Sequence, residues 1–132
     1  MLSLRRETEY AVQFLRELKR SKEGLSLKEV SNRTGASFLF LQKIARKLRR
    51  AKIVEAEKGA SGGYHLIVPA SKINLKQITL IIEDSLCNLL PCCGAQFKCT
   101  KEKGCALKGK VGKINSTMIK MMEKIKLSDL TK

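Results

Sequence analysis

Five cysteines lie between residues 87 and 105, and they are the residues of this chain best suited to chemistry. Cys93, Cys99 and Cys105 form a regular triplet in which five residues separate each cysteine from the next. Thiolates are the usual ligands of iron–sulfur clusters, whereas structural zinc sites favour cysteine pairs separated by only two to four residues. The triplet therefore favours an iron–sulfur cluster, while thiol redox sensing and zinc binding remain open on chemistry alone.

The charge of the chain indicates the class of its partner. Lys and Arg number 27 against 12 Asp and Glu, which gives a formal net charge of +15. Such a charge favours a polyanion, because bound cationic side chains release counterions from phosphate groups. No apolar run approaches the roughly 18 residues that span a membrane, and the N-terminus lacks the apolar segment of a signal peptide. We therefore expect a cytoplasmic protein that binds nucleic acid, with no membrane and no small-molecule substrate as partner.

The first half of the chain has the pattern of a helix-turn-helix. An amphipathic helix is predicted over 8–20 from the spacing of its apolar residues. Ser26 and Glu29 have the spacing of a capping box, which opens a second, short helix. Gly35 then supplies a tight turn, and Ser37 caps a third helix that runs to about residue 51.

A β-hairpin is predicted directly after these helices. Two β-prone segments, 53–57 and 64–68, enclose a glycine-rich stretch, so the whole predicts a winged helix. Asn74 caps a further helix, and residues 85–104 are expected to form an irregular loop that carries the cysteines. The expected fold is mainly α: a winged helix-turn-helix DNA-binding domain over 1–70, and a cysteine-bearing loop with a long C-terminal dimerisation helix over 71–132.

The long helix, predicted over about 105–126, has apolar residues alternately four and three positions apart. This spacing is that of the a and d positions of a heptad repeat. In a chain of 132 residues, little else is available for so long a helix to pack against. We therefore predict a two-fold homodimer and, with it, a palindromic operator in double-stranded DNA. The predicted dimerisation residues are Leu107, Val111, Ile114, Met118, Met121 and Ile125.

The third helix is predicted to contact DNA. Its inner face is an apolar stripe that includes Phe38 and Leu41, and its outer face carries cations and no acid. Residues at the N-terminal end of a recognition helix reach base edges, and later cations bind phosphate. Gln42 suits adenine and Lys43 suits guanine. The base-edge candidates are Ser37, Phe38, Phe40, Gln42 and Lys43, and the phosphate candidates are Arg46, Lys47, Arg49 and Arg50.

The hairpin contributes further candidates. Lys58, Ser61 and Gly62 are predicted to contact DNA, and Lys58 suits a minor groove. An ordinary hairpin charge is the alternative for Lys58. His65 is the only histidine of the chain, and we expect it to contact DNA or to pack rather than to bind a metal.

These features together resemble the IscR- and NsrR-type regulators of the Rrf family of winged-helix transcription factors. The resemblance extends over almost the whole chain. It implies a homodimeric regulator, not an enzyme, whose DNA binding responds to cluster status, nitric oxide, iron or redox state. Its carriers are Glu9-Tyr10-Ala11-Val12 in the first helix, Leu41 with the basic helix after it, Gly59 to Tyr64 in the wing, and the cysteine triplet.

The resemblance also bears on a fourth cluster ligand. Some members of the family carry a histidine three residues after the last cysteine, but here that residue is Lys108, which cannot bind a metal while protonated. Others use a carboxylate just before an aromatic-Ala pair, which here is Glu9. We hypothesise that Glu9 is the fourth ligand, with Cys92 and Cys87 as contenders. A surface carboxylate beside two arginines is the alternative role for Glu9.

The cofactor is expected to be [2Fe–2S] in preference to [4Fe–4S], although three cysteines with one further ligand suit either cluster. The competing function is that of a metal-free repressor that senses redox state through thiols and disulfides. No nucleophile elbow, P-loop or zinc-protease motif occurs in the sequence, which argues against an enzyme.

Overall fold

Three stretches of the chain, residues 4–59, 62–84 and 103–131, are described by the structure, which is a computed structural model. Helices predominate, and the only sheet among these residues is a two-stranded antiparallel hairpin. A short 3-10 turn, Ala70–Lys72, follows the hairpin. The elements are α1 (Arg6–Arg20), α2 (Leu27–Thr34), α3 (Phe38–Arg50), β1 (Val54–Glu57), β2 (Gly63–Leu66), α4 (Leu75–Glu83), α5 (Ala106–Lys124) and α6 (Leu127–Leu130). The predicted mainly α winged helix is confirmed.

Local capping fixes the helix-turn-helix. The Ser26 hydroxyl accepts a hydrogen bond from the Glu29 amide at 3.2 Å, and the Glu29 carboxylate accepts one from the Ser26 amide at 2.7 Å. The bond from the Ser26 amide is the main cause that lowers the pKa of Glu29. Gly35 ends α2 with a left-handed φ of 75°. Ser37 occupies the N-cap position of α3 as predicted, but its side chain makes no capping hydrogen bond.

One hydrophobic cluster joins the elements on both sides of residue 70. Phe14 and Leu15 of α1 are fully buried at its centre. The cluster also contains Leu41, Ile44 and Leu48 of α3, Ile78 and Ile82 of α4, and Leu127 of α6. The buried face of α3 therefore packs against residues that follow the wing in sequence. The division of the chain into domains at residue 70 stays a prediction.

The wing is attached to the entry of α2. Leu25 and Tyr64 exchange two backbone hydrogen bonds, with N–O distances of 3.0 and 2.7 Å. Gly63 adopts a φ of 125°, and a Cβ at this position would lie 2.7 Å from the carbonyl carbon of Leu25. The Tyr64 ring meets Phe14 of the core edge-on, with 5.8 Å between centroids. Glycine at 63 therefore permits the close approach that fixes the wing.

The end of the long helix differs from the prediction. Helix α5 ends at Lys124, and Ile125 is its C-cap rather than a further heptad position inside the helix. The Ile125 carbonyl accepts a hydrogen bond from the Leu75 amide at 2.9 Å, and the Leu127 amide donates to Ile73 at 2.8 Å. The chain then forms α6, which the sequence pattern did not predict. Pairing with residues 73–75 stops α5, and this pairing is a long-range contact.

Helix α5 leaves three large apolar side chains exposed. Leu107, Ile114 and Met121 are each about 60% exposed, whereas the buried residues of this helix are Asn115 and Met122. The exposed side chains follow the predicted heptad row. Within the described ranges, no helix has the length and the apolar character needed to span a membrane.

Candidate nucleic-acid interface and cysteine site

The outer face of α3 is cationic and its inner face is core. Leu41, Ile44, Ala45 and Leu48 are buried, and Gln42, Lys43, Arg46, Arg49 and Arg50 are exposed. Successive helical residues rotate by about 100°, so these two sets occupy opposite faces. The prediction that Phe38 belongs to the inner face is wrong, because its side chain is 45% exposed. Phe38 instead lines the groove between α2 and the wing, where no core element covers it.

An open groove brings the predicted phosphate and base contacts together. Its volume is about 540 Å³, and it lies between α3, the start of α2 and the wing. Three arginines of α3 line this groove beside Gln42. Its lining residues are Leu27, Gln42, Arg46, Arg49, Arg50 and Tyr64.

Lys47 does not extend into that groove. Its Nζ donates to the carbonyl oxygen of Ile82 at 2.6 Å and lies 3.3 Å from the Asp84 carboxylate. Both acceptors belong to the last turn and C-cap of α4, where a cation is favourable because the final carbonyls lack helical partners. The side chain is only 27% exposed. Lys47 thus connects the recognition helix to the residue that immediately precedes the segment with the first four cysteines.

The first turn of α1 makes a second connection. Lys43 Nζ of α3 lies 3.1 Å from the Glu7 carboxylate. The next residue, Thr8, is fully buried, and its hydroxyl donates to Glu83 of α4 at 2.5 Å. The Arg5 amide donates to the same carboxylate oxygen at 2.9 Å, so Glu83 caps α1. We call the set Glu7, Thr8, Lys43, Lys47 and Glu83 the junction.

Glu9 lies beside the junction but faces solvent. Its carboxylate accepts a weak hydrogen bond from Gln13 at 3.4 Å. Across the three described stretches it forms no ion pair, so the surface pairing considered for it is not seen there. The carboxylate is therefore accessible to a metal centre held by another part of the molecule or by a second copy.

Cys105 is the one cysteine of the triplet that the structure places. It is an exposed free thiol at the N-cap of α5, where its sulfur accepts a hydrogen bond from the Lys108 amide at 3.5 Å. A helix N-terminus stabilises negative charge, which suits a thiolate ligand. Cys93 and Cys99, and the contenders Cys87 and Cys92, lie outside the described residues. The two donors that are placed, Cys105 and Glu9, are accessible and chemically suited to an iron–sulfur cluster.

In the wing, glycine at position 62 has a structural explanation. A Cβ on Gly62 would overlap the carbonyl oxygen of Glu57. Lys58 is exposed beside it, and Ser61 lies outside the described residues. His65 Nε2 lies within 3.9 Å of the carboxylates of Glu55 and Glu57. In the part of the chain that the structure covers, no three metal-binding side chains cluster together.

Sequence reasoning missed two features of this interface. The first is the junction, whose contacts join residues far apart in the chain. The second is Leu39, which is 74% exposed on α3. A signal for Leu39 was available, because four consecutive apolar residues, 38–41, cannot all face the core from one helix.

Comparison with known proteins identifies the family. Residues 4–132 match the model of the Rrf2 family, whose description is iron-dependent transcriptional regulator. The chain belongs to the Rrf2 family. It is a DNA-binding transcriptional regulator with a winged helix, and the expectation that it is not an enzyme is confirmed by its relatives.

Relatives of this Rrf2 protein match it over nearly its full length. It is 32% identical to protein aau3 of Rhizobium meliloti, in an alignment that covers 99% of this chain and 86% of that protein. It is 30% identical to the transcriptional regulator NsrR of Oceanobacillus iheyensis, over 99% of this chain and 90% of that one. Its structure resembles CymR, the global cysteine regulator of Bacillus subtilis, with a TM-score of 0.83 over 99% of this chain and 97% of that chain. The CymR identity of 21% limits that likeness to the fold.

Proposed function

We propose that this Rrf2 protein is a homodimeric, sequence-specific regulator whose operator binding is controlled by an iron–sulfur cluster. Cys93, Cys99 and Cys105 would hold the cluster with Glu9, and the reducing cytoplasm is the compartment that unpaired thiols require. The observation that carries the proposal is the first turn of α1. There Glu7 contacts the recognition helix, Thr8 contacts α4, and Glu9 presents an accessible carboxylate.

The DNA-binding part of the proposal is supported by the arrangement of charge. Three arginines of the exposed face of α3 line the groove that this helix forms with α2 and the wing, as expected of a recognition helix that binds in a major groove. The exposed apolar row on α5 suits association with a second copy. Two copies related by a two-fold axis present two recognition helices, so the operator would be palindromic.

The control of binding is supported by the junction. When bound, an iron–sulfur cluster supplies a centre that exchanges electrons and reacts with nitric oxide. Glu9 would fix the first turn of α1, and Glu7 would pass the position of that turn to Lys43 at the base-reading end of α3. Lys47 would fix the other side of α3 to the end of α4. Both contacts would influence the position of the recognition helix. One is made by a neighbour of the proposed ligand Glu9, and the other is made next to the cysteine segment.

The test begins with protein purified without oxygen. We expect an absorption spectrum with charge-transfer bands in the visible, together with iron and sulfide, and a band shape that indicates [2Fe–2S] rather than [4Fe–4S]. Cys99→Ala should lose iron and colour. Glu9→Ala should alter the spectrum and release iron faster, whereas Glu23→Ala, an exposed carboxylate in the loop after α1, should behave as wild type.

DNA affinity completes the test. Fluorescence anisotropy on an operator selected from random duplexes should give different affinities for the cluster-loaded and cluster-free protein, and no such difference in Cys99→Ala. A colourless protein without iron after anaerobic reconstitution contradicts the proposal. If its affinity then responds to oxidants and reductants, the metal-free thiol/disulfide repressor replaces it.

A further inference from the structure

Leu39 is the most exposed of the large hydrophobic side chains that the structure describes. It is 74% exposed, compared with 61% for Met121 on the proposed dimer face. It occupies the second position of α3, in the turn whose side chains reach base edges in a helix-turn-helix. An exposed apolar side chain at that position can contact an apolar group on a base edge.

The surroundings of Leu39 are cationic. With about 100° of rotation per residue, Lys43, Arg46 and Arg50 lie within about 40° of Leu39 around the helix axis. Gln42 lies about 60° to the other side. Leu39 therefore marks the centre of the exposed face, with basic side chains following it along three turns. A partner for this face must combine an apolar group with flanking negative charge.

The two neighbouring aromatic residues are already in contact with other elements. The Phe40 ring lies 6.2 Å from that of Tyr10 on α1. Phe38 lines the groove beside Gly62 and Tyr64 of the wing. They are 43% and 45% exposed, well below Leu39. Leu39 is thus the apolar side chain of this turn that points away from the protein.

The floor of the DNA major groove offers the required combination. The C5 methyl of thymine is the apolar group among the base edges there, and rows of phosphate lie on either side of it. The regular spacing of these phosphates makes duplex DNA a strong anionic partner for a row of basic side chains. Charge complementarity therefore selects duplex DNA as the occupant of this face.

We infer that Leu39 is a specificity-determining residue that contacts a thymine methyl in each half-site of the operator. The inference rests on the proposed recognition role of α3 and names one base that this helix reads. Gln42, one turn further along the same face, suits adenine. Leu39 and Gln42 together would read an A·T-containing core within the half-site.

The experiment removes the methyl group without changing the base pair. An operator is first selected with the full-length protein from random duplexes, and each thymine is then replaced in turn by deoxyuridine. One thymine per half-site should respond, and loss of its methyl should weaken binding about fourfold. In Leu39→Ala the same replacement should have no effect. The ratio of the affinities for the thymine and deoxyuridine duplexes should therefore be about 1, compared with about 4 for the wild-type protein.

Matched variants separate specificity from folding. Leu80→Ala makes the same change at a leucine of α4 that is 40% exposed, and it should keep the full ratio. Leu39→Met retains an apolar side chain of similar reach and should also keep it. Thermal unfolding followed by circular dichroism checks that Leu39→Ala folds as wild type.

Three outcomes would overturn the inference. No thymine in the selected operator responds to deoxyuridine, or Leu39→Ala retains the wild-type ratio. In the third, Leu39→Ala reduces self-association without DNA in sedimentation experiments, which would make Leu39 a protein contact. If the wild-type protein enriches no sequence at all, the proposed function itself fails, a result distinct from enrichment without methyl dependence.

Discussion

Helices α3 and α5 are both amphipathic, but they use their apolar faces in different ways. Helix α3 buries Leu41, Ile44 and Leu48 in the core and exposes mainly charge. Helix α5 buries little and exposes an apolar row that includes Ile114 and Met121. The apolar face of α3 is buried within one chain, and its exposed charged face suits an anionic partner. The apolar row of α5 is not covered within one chain, and its heptad spacing suits packing against α5 of a second copy of the protein.

The largest effect should come from charging the exposed row of α5. Ile114→Asp places a carboxylate in the middle of that row, and we expect monomers because the charge would be buried between two copies. Operator affinity should fall at least about 100-fold, since the two half-sites are then bound independently. Sedimentation and anisotropy measure both effects. Ser116→Asp, exposed on another face of α5, is the matched control; an Ile114→Asp dimer would show that α5 is not the dimer interface.

A smaller effect is expected where the wing meets α2. Gly63→Ala should lower the free energy of unfolding by about 2 kcal/mol, because its Cβ would force the backbones of residues 25 and 63 apart. Gly35→Ala has open space around the added Cβ, so we expect only the left-handed backbone cost of about 1 kcal/mol. Urea unfolding measures both variants. Equal losses would show that close packing at residue 63 does not hold the wing.

Removing a single cation from α3 should affect affinity but not assembly. Arg46→Gln is expected to weaken DNA binding about tenfold, to a similar degree on every sequence, because a phosphate contact carries little sequence information. The dependence of affinity on salt should become shallower, and the protein should remain a dimer. A loss confined to the selected operator would instead make Arg46 a base-reading residue.

The smallest expected effect tests the link between the two halves. Lys47→Met keeps the aliphatic side chain but removes the ammonium group that holds Ile82 and Asp84. The affinity ratio between the cluster-loaded and cluster-free forms should narrow about threefold, with little change in the affinity of the tighter form. Arg46→Gln should weaken both forms alike and leave the ratio unchanged. An unaltered ratio in Lys47→Met would exclude Lys47 from the control of binding.

Features that depend on residues close together in the sequence could be predicted from it. The capping box of α2 is complete in Ser26 and Glu29, and the turn after α2 has Gly35 in the left-handed conformation. Apolar spacing located the helices for the same reason. The heptad row of α5 could also be predicted. The end of the helix could not, because it is set by hydrogen bonds to residues 73–75, which are distant in sequence.

The parts of the site that depend on tertiary packing could not be predicted. Lys47 was grouped with the other cations of α3 because composition cannot show that its amine lies on the end of α4, 35 residues further along. Phe38 was assigned to the core because periodicity does not show where the facing core ends. The link from Thr8 to Glu83 spans 75 residues and involves side chains that carried no motif.

The position of Leu127 has a consequence for biosynthesis. This fully buried residue completes the core that supports the reading helix, yet it follows the last cysteine in the chain. A nascent chain that has not yet reached it has a gap in that core, and such gaps typically cost about 2–5 kcal/mol. The core behind α3 therefore reaches its full stability only after all five cysteines have been synthesised.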